Sequence, residues 1–349
     1  MQRSRLWLAL AAGLWLGLCP APAADPGVNP PVPAPARVIE VTGPGALVEF
    51  EPDPGVVRRM VARGLTTLTR QPTETAAWLS LVTTSDVVGL KVYSQPGLLS
   101  GTRPVVVAAV VQGLLAAGLP PQHIIIWDKH AGDLRTAGFF QLGRQFGVRV
   151  AGCDQDGYDE QSFYAPDTAV IGNLVWGDLE FGRKDPGVGR KSFVAKLVSR
   201  EITKIISVAP VLNLEASGVS GHLYSVTLGS VDNTVRFEGS AERLAVAVPE
   251  LYALPVLGDR VALNITDALL GQYEGGRRSL LHYSTVLDQL WFSRDPVALD
   301  TLAIQELQQE RKAHGANDYP PHLDLYHNAV LLQLGVTDPA QMTIERVKL

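Results

Sequence analysis

The stretch DVVGLKVYSQPGLLSGTRPVVVAAVVQGLLAAGLPPQHIIIWD (86–128) decides the fold class. It contains two short apolar strands, DVVGLKVY (86–93) and HIIIWD (123–128), on either side of the helix RPVVVAAVVQGLLAAG (103–118). A helix and a strand then follow, AGDLRTAGFFQLGRQFG (131–147) and VRVAG (148–152). Because such units place parallel strands side by side under crossover helices, the sequence predicts an α/β fold, a mostly parallel sheet with helices on both faces.

The rest of the chain extends this pattern. Residues 154–195 lack a clear period and are rich in Gly, Asp and aromatic residues, so they are predicted to form an irregular insertion, either an excursion over the active face or a small β subdomain. Residues 37–349 are expected to form a single α/β domain. Further strands are predicted at 38–41, 203–213, 260–269 and 285–293, and further helices after Asp53-Pro54 and at 73–82, 218–231, 241–254, 295–315 and 322–335.

The first 24 residues are typical of a secretory signal peptide. Arg3 and Arg5 precede the apolar run Leu6–Leu18, and a small-residue stretch follows it. A membrane anchor is the alternative, but this run is shorter than the roughly 20 residues that a spanning helix needs. A lipoprotein attached through Cys19 is disfavoured because Leu18 stands where a small residue is expected. We therefore expect a secreted or periplasmic protein with a Pro-rich linker at 25–36 and no membrane span after cleavage.

Composition excludes several classes of protein. The chain has 349 residues, a net charge of −5 and a pI of about 5.8, so it lacks the basic footprint of a nucleic-acid-binding protein. It has 2 cysteines and no C-x-x-C motif, which excludes a disulfide scaffold. Cleavage would leave Cys153 alone, and we expect a buried, inert thiol because acidic residues follow it.

Polar residues follow several predicted strands. Ligands bind beyond the carboxyl ends of parallel strands, so these residues are candidates for one site. The alternative for each aspartate is a helix N-cap, which is the favoured role of Asp295. Lys91 interrupts an apolar strand and needs an acidic partner, a route to solvent or a role in a site. The strand-end candidates are Asp128, Lys129, His130, Asp133, Asn213, Glu215, Ser217, Asp267, Tyr273, Arg294, Asp295 and Asp300.

Known sequence fingerprints give little support for a specific reaction. Neither a phosphate-binding loop nor a dinucleotide-binding glycine motif is present, and no zinc spacing surrounds His130 or His222. No G-x-S-x-G elbow indicates a serine hydrolase. The loop GRKDPGVGRK (182–191) combines glycine and basic residues, which would suit an anion, although a solvated loop explains it as well.

Several of these segments, taken in order, resemble the prokaryotic family called domain of unknown function 362. The similarity spans residues 80–335. Its most specific parts are LGSVDNTVRF (228–237) and DPVALD (295–300), and VGLKVY, APVLN, LNITDALLGQYEGG and the glycines of GVSGHL support them. Positions that keep the family pattern are Lys91, Gly218, Gly221, Gly229, Asn233, Thr234, Arg236, Asp267, Gly275, Gly276, Asp295, Pro296 and Asp300.

The resemblance implies an α/β domain of unassigned activity, a family often fused to iron–sulfur modules and suspected of redox or metal-related work. This chain has no cluster cysteines, so we do not expect it to bind an iron–sulfur cofactor. It has Asn213 and Glu215 where similar members tend to have lysine or histidine, and Tyr224-Ser225 where they tend to have Lys-Asn. The activity is therefore expected to be altered or lost if those basic residues carry it.

Together, the residues and the resemblance predict a strand-end cleft that binds a small anionic ligand. We expect Lys91, Asp128 and Asp267 to be catalytic. Lys91 and Arg236 would stabilise developing negative charge, and Asp267 or Asp128 would act as a base or a metal ligand. A divalent metal held by the aspartates is left open, and the substrate, the reaction and the oligomeric state do not follow from the sequence. The alternative function is a non-catalytic binding module derived from an enzyme. The predicted ligand-binding residues are Asn213, Ser217, His222, Asn233, Arg236 and Asp295.

Overall fold

A central sheet confirms the predicted α/β class. The computed structural model describes residues 35–165, 170–171, 188–189, 191–316 and 320–349. The predicted signal peptide, nearly all of the predicted linker and most of loop 182–191 lie outside these residues. The strands are β1 (Ala36–Thr42), β2 (Leu47–Val48), β3 (Glu51–Pro52), β4 (Val88–Val92), β5 (Ile124–Asp128), β6 (Arg149–Gly152), β7 (Tyr158–Tyr164), β8 (Val170–Ile171), β9 (Val188–Gly189), β10 (Ser192–Ala195), β11 (Lys204–Leu214), β12 (Gly218–Val219), β13 (Val261–Gln272), β14 (Ser284–Ser293) and β15 (Met342–Lys348).

The helices begin where the sequence supplies caps. Asp53 accepts a hydrogen bond from the Val56 amide at 2.8 Å, and Asp295 accepts one from the Ala298 amide at 2.9 Å, which confirms both predicted N-caps. The helices are α1 (Pro54–Thr69), α2 (Glu74–Leu79), α3 (Pro104–Ala116), α4 (Ala131–Thr136), α5 (Phe139–Phe146), α6 (Cys153–Asp156), α7 (His222–Ser230), α8 (Val235–Glu238), α9 (Ala241–Tyr252), α10 (Pro296–Ala313) and α11 (Asp324–Leu331).

The sheet is mostly parallel. Its strand order is β15-β1-β14-β13-β11-β4-β5-β6, and the short β12 pairs with β11 beside this path. Among the eight strands of the path, β14 alone runs against the others, because it pairs antiparallel with both β1 and β13. The carboxyl ends of β4, β5, β6, β11 and β13 therefore meet at one edge.

Helices cover both faces of the sheet, as predicted. Along β5, Ile124 and Ile126 pack on the face covered by α1, α2, α3 and α5, whereas Ile125 and Trp127 pack on the face covered by α7, α9, α10 and α11. This alternation is the ordinary period of a strand, and here both faces are apolar. Lys91 shares the second face, where its ammonium lies 5.5 Å from the Trp127 ring centroid.

Three local predictions differ from the structure. The helix predicted at 131–147 is broken into α4 and α5 at Gly138, whose φ of 85° does not continue a helix. The predicted elements end at residue 335, but β15 follows them and pairs in parallel with β1. β1 starts at Ala36, the last residue of the predicted linker.

The insertion is described only in part. Outside the central sheet, β7 pairs antiparallel with β10, and β8 with β9. Cys153 opens α6 directly after β6 and is buried, and burial raises the pKa of its thiol, as expected for an inert cysteine. None of the described helices combines the length and the apolar character needed to cross a membrane.

Candidate functional site

A cleft lies at the carboxyl ends of β4 and β5. Its volume is about 470 Å³, a size suited to a small organic molecule. The loop after β4, the start of α4, the helix α7 and the segment 232–238 enclose it, and Arg277 closes one side. The polar and aromatic residues that line it are Tyr93, Gln95, Asp128, Lys129, His130, Asp133, Asp154, Tyr158, Tyr224, Ser225, Asp232, Thr234, Glu238 and Arg277.

A buried ion pair forms the floor of the cleft. Lys91 Nζ lies 2.8 Å from Asp128 Oδ1, 3.0 Å from Ser225 Oγ and 2.6 Å from the Val92 carbonyl oxygen. An ammonium has three N–H donors, so all three are used. The Lys91 side chain is fully buried, so its amine has no contact with solvent.

Asp128 is held as a carboxylate. Its Oδ2 accepts hydrogen bonds from the Ser94 amide at 2.8 Å and the Ser94 hydroxyl at 2.6 Å, and its Oδ1 also accepts one from the Lys129 amide at 2.8 Å. Burial alone would raise the pKa of Asp128, but Lys91 and Ser94 outweigh that effect and hold this pKa below its ordinary value. Asp128 is therefore ionised at neutral pH.

Gly229 allows this floor to form. A Cβ added there would lie 2.1 Å from Lys91 Cε and 2.7 Å from Lys91 Nζ. The helix α7 thus passes directly over the lysine, which only a residue without a side chain permits.

A second lysine lies in the wall of the cleft with a different set of contacts. Lys129 Nζ donates to Thr234 Oγ1 at 2.7 Å and to the Asp232 carbonyl at 3.2 Å. These two acceptors are all that its ammonium has among the described residues. Burial lowers the pKa of Lys129 and outweighs the opposing effect of Glu238 and Asp232. Unlike Lys91, this amine has a position left for a ligand.

Arg277 is connected to Lys129 by a series of hydrogen bonds through Thr234 and Glu238. Thr234 Oγ1 donates to Glu238 Oε2 at 2.8 Å, and Glu238 is paired with Arg277, which also donates to the Tyr224 hydroxyl. Burial favours a raised pKa for Glu238, but Arg277 and the Thr234 hydrogen bond hold that pKa below its ordinary value.

The loop that carries Arg277 is organised by one buried amide. Gln272 Nε2 donates to the carbonyls of Glu274 and Arg278, both at 2.8 Å, and Gln272 Oε1 accepts from the Leu280 amide at 3.0 Å. The turn needs Gly275, whose φ is 96°. The position of Arg277 is therefore set from the end of β13.

The outer rim is acidic. His130 Nδ1 lies 3.4 Å from Asp154 Oδ2, and Asp154 Oδ1 accepts from the Ala131 amide at 3.1 Å. Burial, together with Asp128 and Asp154, raises the pKa of Asp133 and outweighs the opposing effect of His130. Asp128 and Glu238 deeper in the cleft have cationic partners, so the excess negative charge is at the rim.

The structure brings together two of the predicted site residues, Lys91 and Asp128. Asp267 lies elsewhere, in a second buried pair in which its carboxylate accepts from the Arg103 amide at 2.9 Å and from Arg103 Nη1 at 3.0 Å. His222 is buried between Ser207 Oγ at 2.8 Å and Thr266 Oγ1 at 3.0 Å. Burial lowers the pKa of His222 to about 3, so its ring is neutral.

The remaining predicted residues have structural contacts outside the cleft lining. Asn213 pairs with Val219 at the β11–β12 turn, where the Ser217 hydroxyl donates to the Val219 carbonyl at 2.9 Å. Asp295 caps α10 and also accepts from the Val336 amide at 3.0 Å, and burial raises its pKa to about 6.

Asn233 and Arg236 hold part of the insertion. The Asn233 side chain donates to the Lys191 carbonyl at 3.1 Å. Arg236 Nη1 donates to the Tyr164 carbonyl and to Ser192 Oγ, both at 3.1 Å. These two side chains thus join the segment after α7 to β7 and β10.

Several residues of the cleft are not among the catalytic and ligand-binding residues predicted from the sequence, although Lys129, His130 and Asp133 are among its strand-end candidates. Lys129 directly follows Asp128, and its signal is a basic residue at the end of an apolar strand. Arg277 follows the Gly275-Gly276 turn, but nothing local places that turn beside α8. Tyr224 is already singled out in the sequence as a departure from the pattern of the family that the chain resembles, and Glu238 directly follows the motif 228–237.

The described residues contain no group of three or more His, Cys, Asp and Glu side chains arranged to hold a metal ion. The cleft therefore gives no support for the divalent metal that the sequence analysis considered. Its inner carboxylates, Asp128 and Glu238, are paired with Lys91 and Arg277.

Neither a protein-family model nor a curated protein matches the chain. A solved structure of a Thermotoga maritima protein, a target of the Northeast Structural Genomics Consortium, is similar to it with a TM-score of 0.41 and 12% sequence identity. The similarity covers 77% of this chain and 61% of that protein, so it spans less than two thirds of the other chain. At this level the likeness carries no argument about function.

Proposed function

We propose that the strand-end cleft binds a small organic anion. The observation that carries this proposal is the incomplete set of acceptors around the Lys129 ammonium, beside the guanidinium of Arg277. Both cations line the same cavity of about 470 Å³. Glu238 uses part of the Arg277 guanidinium, which leaves further N–H donors for a carboxylate or a phosphate.

The tyrosines add hydroxyl groups and apolar surface to this site, and their hydroxyls donate to Gln95 Oε1 and to Glu238 Oε1, both at 3.3 Å. Burial raises the pKa of Tyr93 and Tyr224, so both hydroxyls keep their protons at neutral pH. Their rings meet edge to face with centroids 6.4 Å apart. An anion with a short carbon skeleton suits this combination of cations, hydroxyls and rings.

The alternative is a binding module without catalysis, and one observation favours it. Lys91, the residue expected to stabilise developing charge, already has three protein acceptors and no donor left for a substrate. We also propose, from the sequence motifs and the leader pattern alone, that the chain is an exported member of the domain of unknown function 362 family.

Binding of simple anions tests the proposal. Isothermal titration calorimetry with lactate, succinate and inorganic phosphate should detect saturable binding of at least one of them to the wild-type protein. Arg277→Gln should weaken that binding about tenfold or more, the size expected for a charge-assisted contact of about 1.5 kcal/mol. Arg278→Gln is the matched control, because Arg278 is exposed on the same loop and does not line the cleft.

The folding of each variant is checked by circular dichroism, and Arg277→Lys serves as a second variant that keeps the charge opposite Glu238. The proposal fails if none of the three anions binds the wild-type protein. It also fails if Arg277→Gln and Arg278→Gln bind the anion equally well.

A further inference from the structure

We propose that Lys129 is a nucleophile that forms an imine with the carbonyl group of a small 2-oxo acid bound in the cleft. This inference rests on the proposed anion site, because Arg277 would hold the carboxylate of the same molecule. It goes further by naming a reacting atom, Lys129 Nζ, and a class of ligand.

The first argument is the contrast between the two lysines of the cleft. Lys91 Nζ has three acceptors within 3.0 Å and is buried under Gly229, so its amine has no free position and no space for a carbon atom. Lys129 Nζ has two acceptors among the described residues and lines the cavity. An amine can attack a carbonyl only if its lone pair is open to the ligand.

The second argument is a route for the proton that must leave the amine. Lys129 Nζ lies 2.7 Å from Thr234 Oγ1, and Thr234 Oγ1 lies 2.8 Å from Glu238 Oε2. A hydroxyl between an ammonium and a carboxylate can pass a proton in either direction. Because Arg277 stabilises ionised Glu238, that carboxylate returns the proton readily in a later step.

The chemical step balances without an oxidant. Lys129 gives one proton through Thr234 to Glu238, and the free amine attacks the carbonyl carbon while the π electrons move to the carbonyl oxygen. A second amine proton moves to that oxygen to give a carbinolamine. Glu238 then returns its proton through Thr234 to the hydroxyl, which leaves as water as the C=N bond forms. Ammonium and ketone thus become a protonated imine and one water.

The surroundings of Lys129 support this role. Burial lowers the pKa of the Lys129 ammonium, so more free amine is present at neutral pH than for a lysine in water. Lys312 and Lys348 are exposed and serve as internal references for an ordinary surface lysine.

Reductive trapping tests the inference. The full-length protein is incubated with sodium pyruvate and sodium cyanoborohydride, and peptide mass spectrometry follows the reduced adduct at each lysine. We expect Lys129 to be labelled about tenfold or more faster than Lys312 and Lys348. Lys129→Arg should remove the fast adduct, Thr234→Val should slow it, and Lys312→Arg should leave it unchanged.

Equal labelling rates at Lys129, Lys312 and Lys348 would overturn the inference, as would a fast adduct that persists in Lys129→Arg. Lactate has no keto group and cannot form an imine, so its binding tests the proposed anion site separately from the proposed imine. If lactate binds the wild-type protein but pyruvate is not trapped at Lys129, only the imine is excluded. If none of lactate, succinate and inorganic phosphate binds the wild-type protein, the anion site itself is excluded.

Discussion

The contacts of Lys91 are only partly predictable from the sequence. A lysine within an apolar strand predicts a partner, and the structure supplies Asp128 at 2.8 Å. The sequence does not predict that Ser225 and the Val92 carbonyl use its other two donors, because Ser225 comes from a helix more than 100 positions later. Because of these contacts, the proposed imine is assigned to Lys129 and not to Lys91.

The glycine above Lys91 gives a prediction at this scale. Gly229→Ala should lower the free energy of unfolding by about 1–3 kcal/mol, because the new methyl group would overlap Lys91 Cε in a packed interior. Chemical denaturation measures the change. Gly132→Ala is the matched helical control, since its Cβ meets no atom within 4 Å, and an equal loss in both variants would contradict the explanation.

Breaking the buried ion pair gives a second prediction. Lys91→Met should lower the free energy of unfolding by about 3–5 kcal/mol, because it leaves Asp128 buried without its cation. As a control, Arg37→Met breaks a partly exposed pair with Glu345 and should cost about 0–1 kcal/mol. Urea denaturation compares the two variants, and a loss at Lys91 no larger than that at Arg37 would refute this account.

At the scale of elements, the prediction succeeds where a helix or strand carries its own signals. Asp53 and Asp295 with their following prolines mark the starts of α1 and α10 correctly. The break at Gly138 is missed because apolar spacing continues across it. The strand β15 is missed because its exposed, alternating pattern acquires meaning only when β1 lies beside it.

The carboxylate of Asp300, in α10, accepts hydrogen bonds from the start of α7, and these contacts predict that the stability of the fold depends on pH. Asp300 accepts hydrogen bonds from the amides of His222 at 2.6 Å and Leu223 at 3.0 Å, yet burial raises its pKa to about 7. Between its ordinary pKa of 3.8 and about 7, the unfolded state binds fewer protons at this group than the folded state. The contribution of Asp300 to stability therefore falls as pH rises through this window.

His222 acts in the opposite direction. Burial lowers its pKa from 6.5 to about 3, so the unfolded state binds more protons there, and its contribution to stability rises with pH in that window. Asp300→Asn removes the contribution to stability that falls with pH and leaves the contribution of His222, which rises with pH. We expect the free energy of unfolding, measured in urea, to rise more steeply with pH in Asp300→Asn than in the wild-type protein. Parallel pH profiles for the two proteins would contradict the assignment.

At the scale of the whole molecule, the α/β class follows from the sequence, whereas the strand order does not. Residues 86–152 predict three adjacent parallel strands because short crossovers leave few other arrangements. Nothing local predicts that β1 inserts between β14 and β15, or that β14 runs against its neighbours. The composition of the cleft is likewise only partly predictable, because one of its walls comes from segments near residues 234 and 277 that are distant in sequence from β4 and β5.

Export of the chain is tested on the intact protein. When the full sequence is expressed in a Gram-negative host, we expect the protein in the periplasmic fraction with Asp25 as its first residue, because cleavage would follow Ala24. Intact-mass spectrometry of that fraction determines the N-terminus. Full-length protein confined to the cytoplasm would contradict this prediction.

The place of β1 in the sheet has a consequence for the time course of folding. Ser293 bonds to the Arg37 carbonyl across 256 positions of sequence, and Arg37 bonds to Glu345 across 308. The apolar residues Val38, Ile39 and Val41 therefore cannot pair with β14 until residues 284–293 are synthesised, or with β15 until residues 342–348 are synthesised. Contacts so distant in sequence close slowly, so we expect the β14–β1–β15 edge to form late and to limit the folding rate.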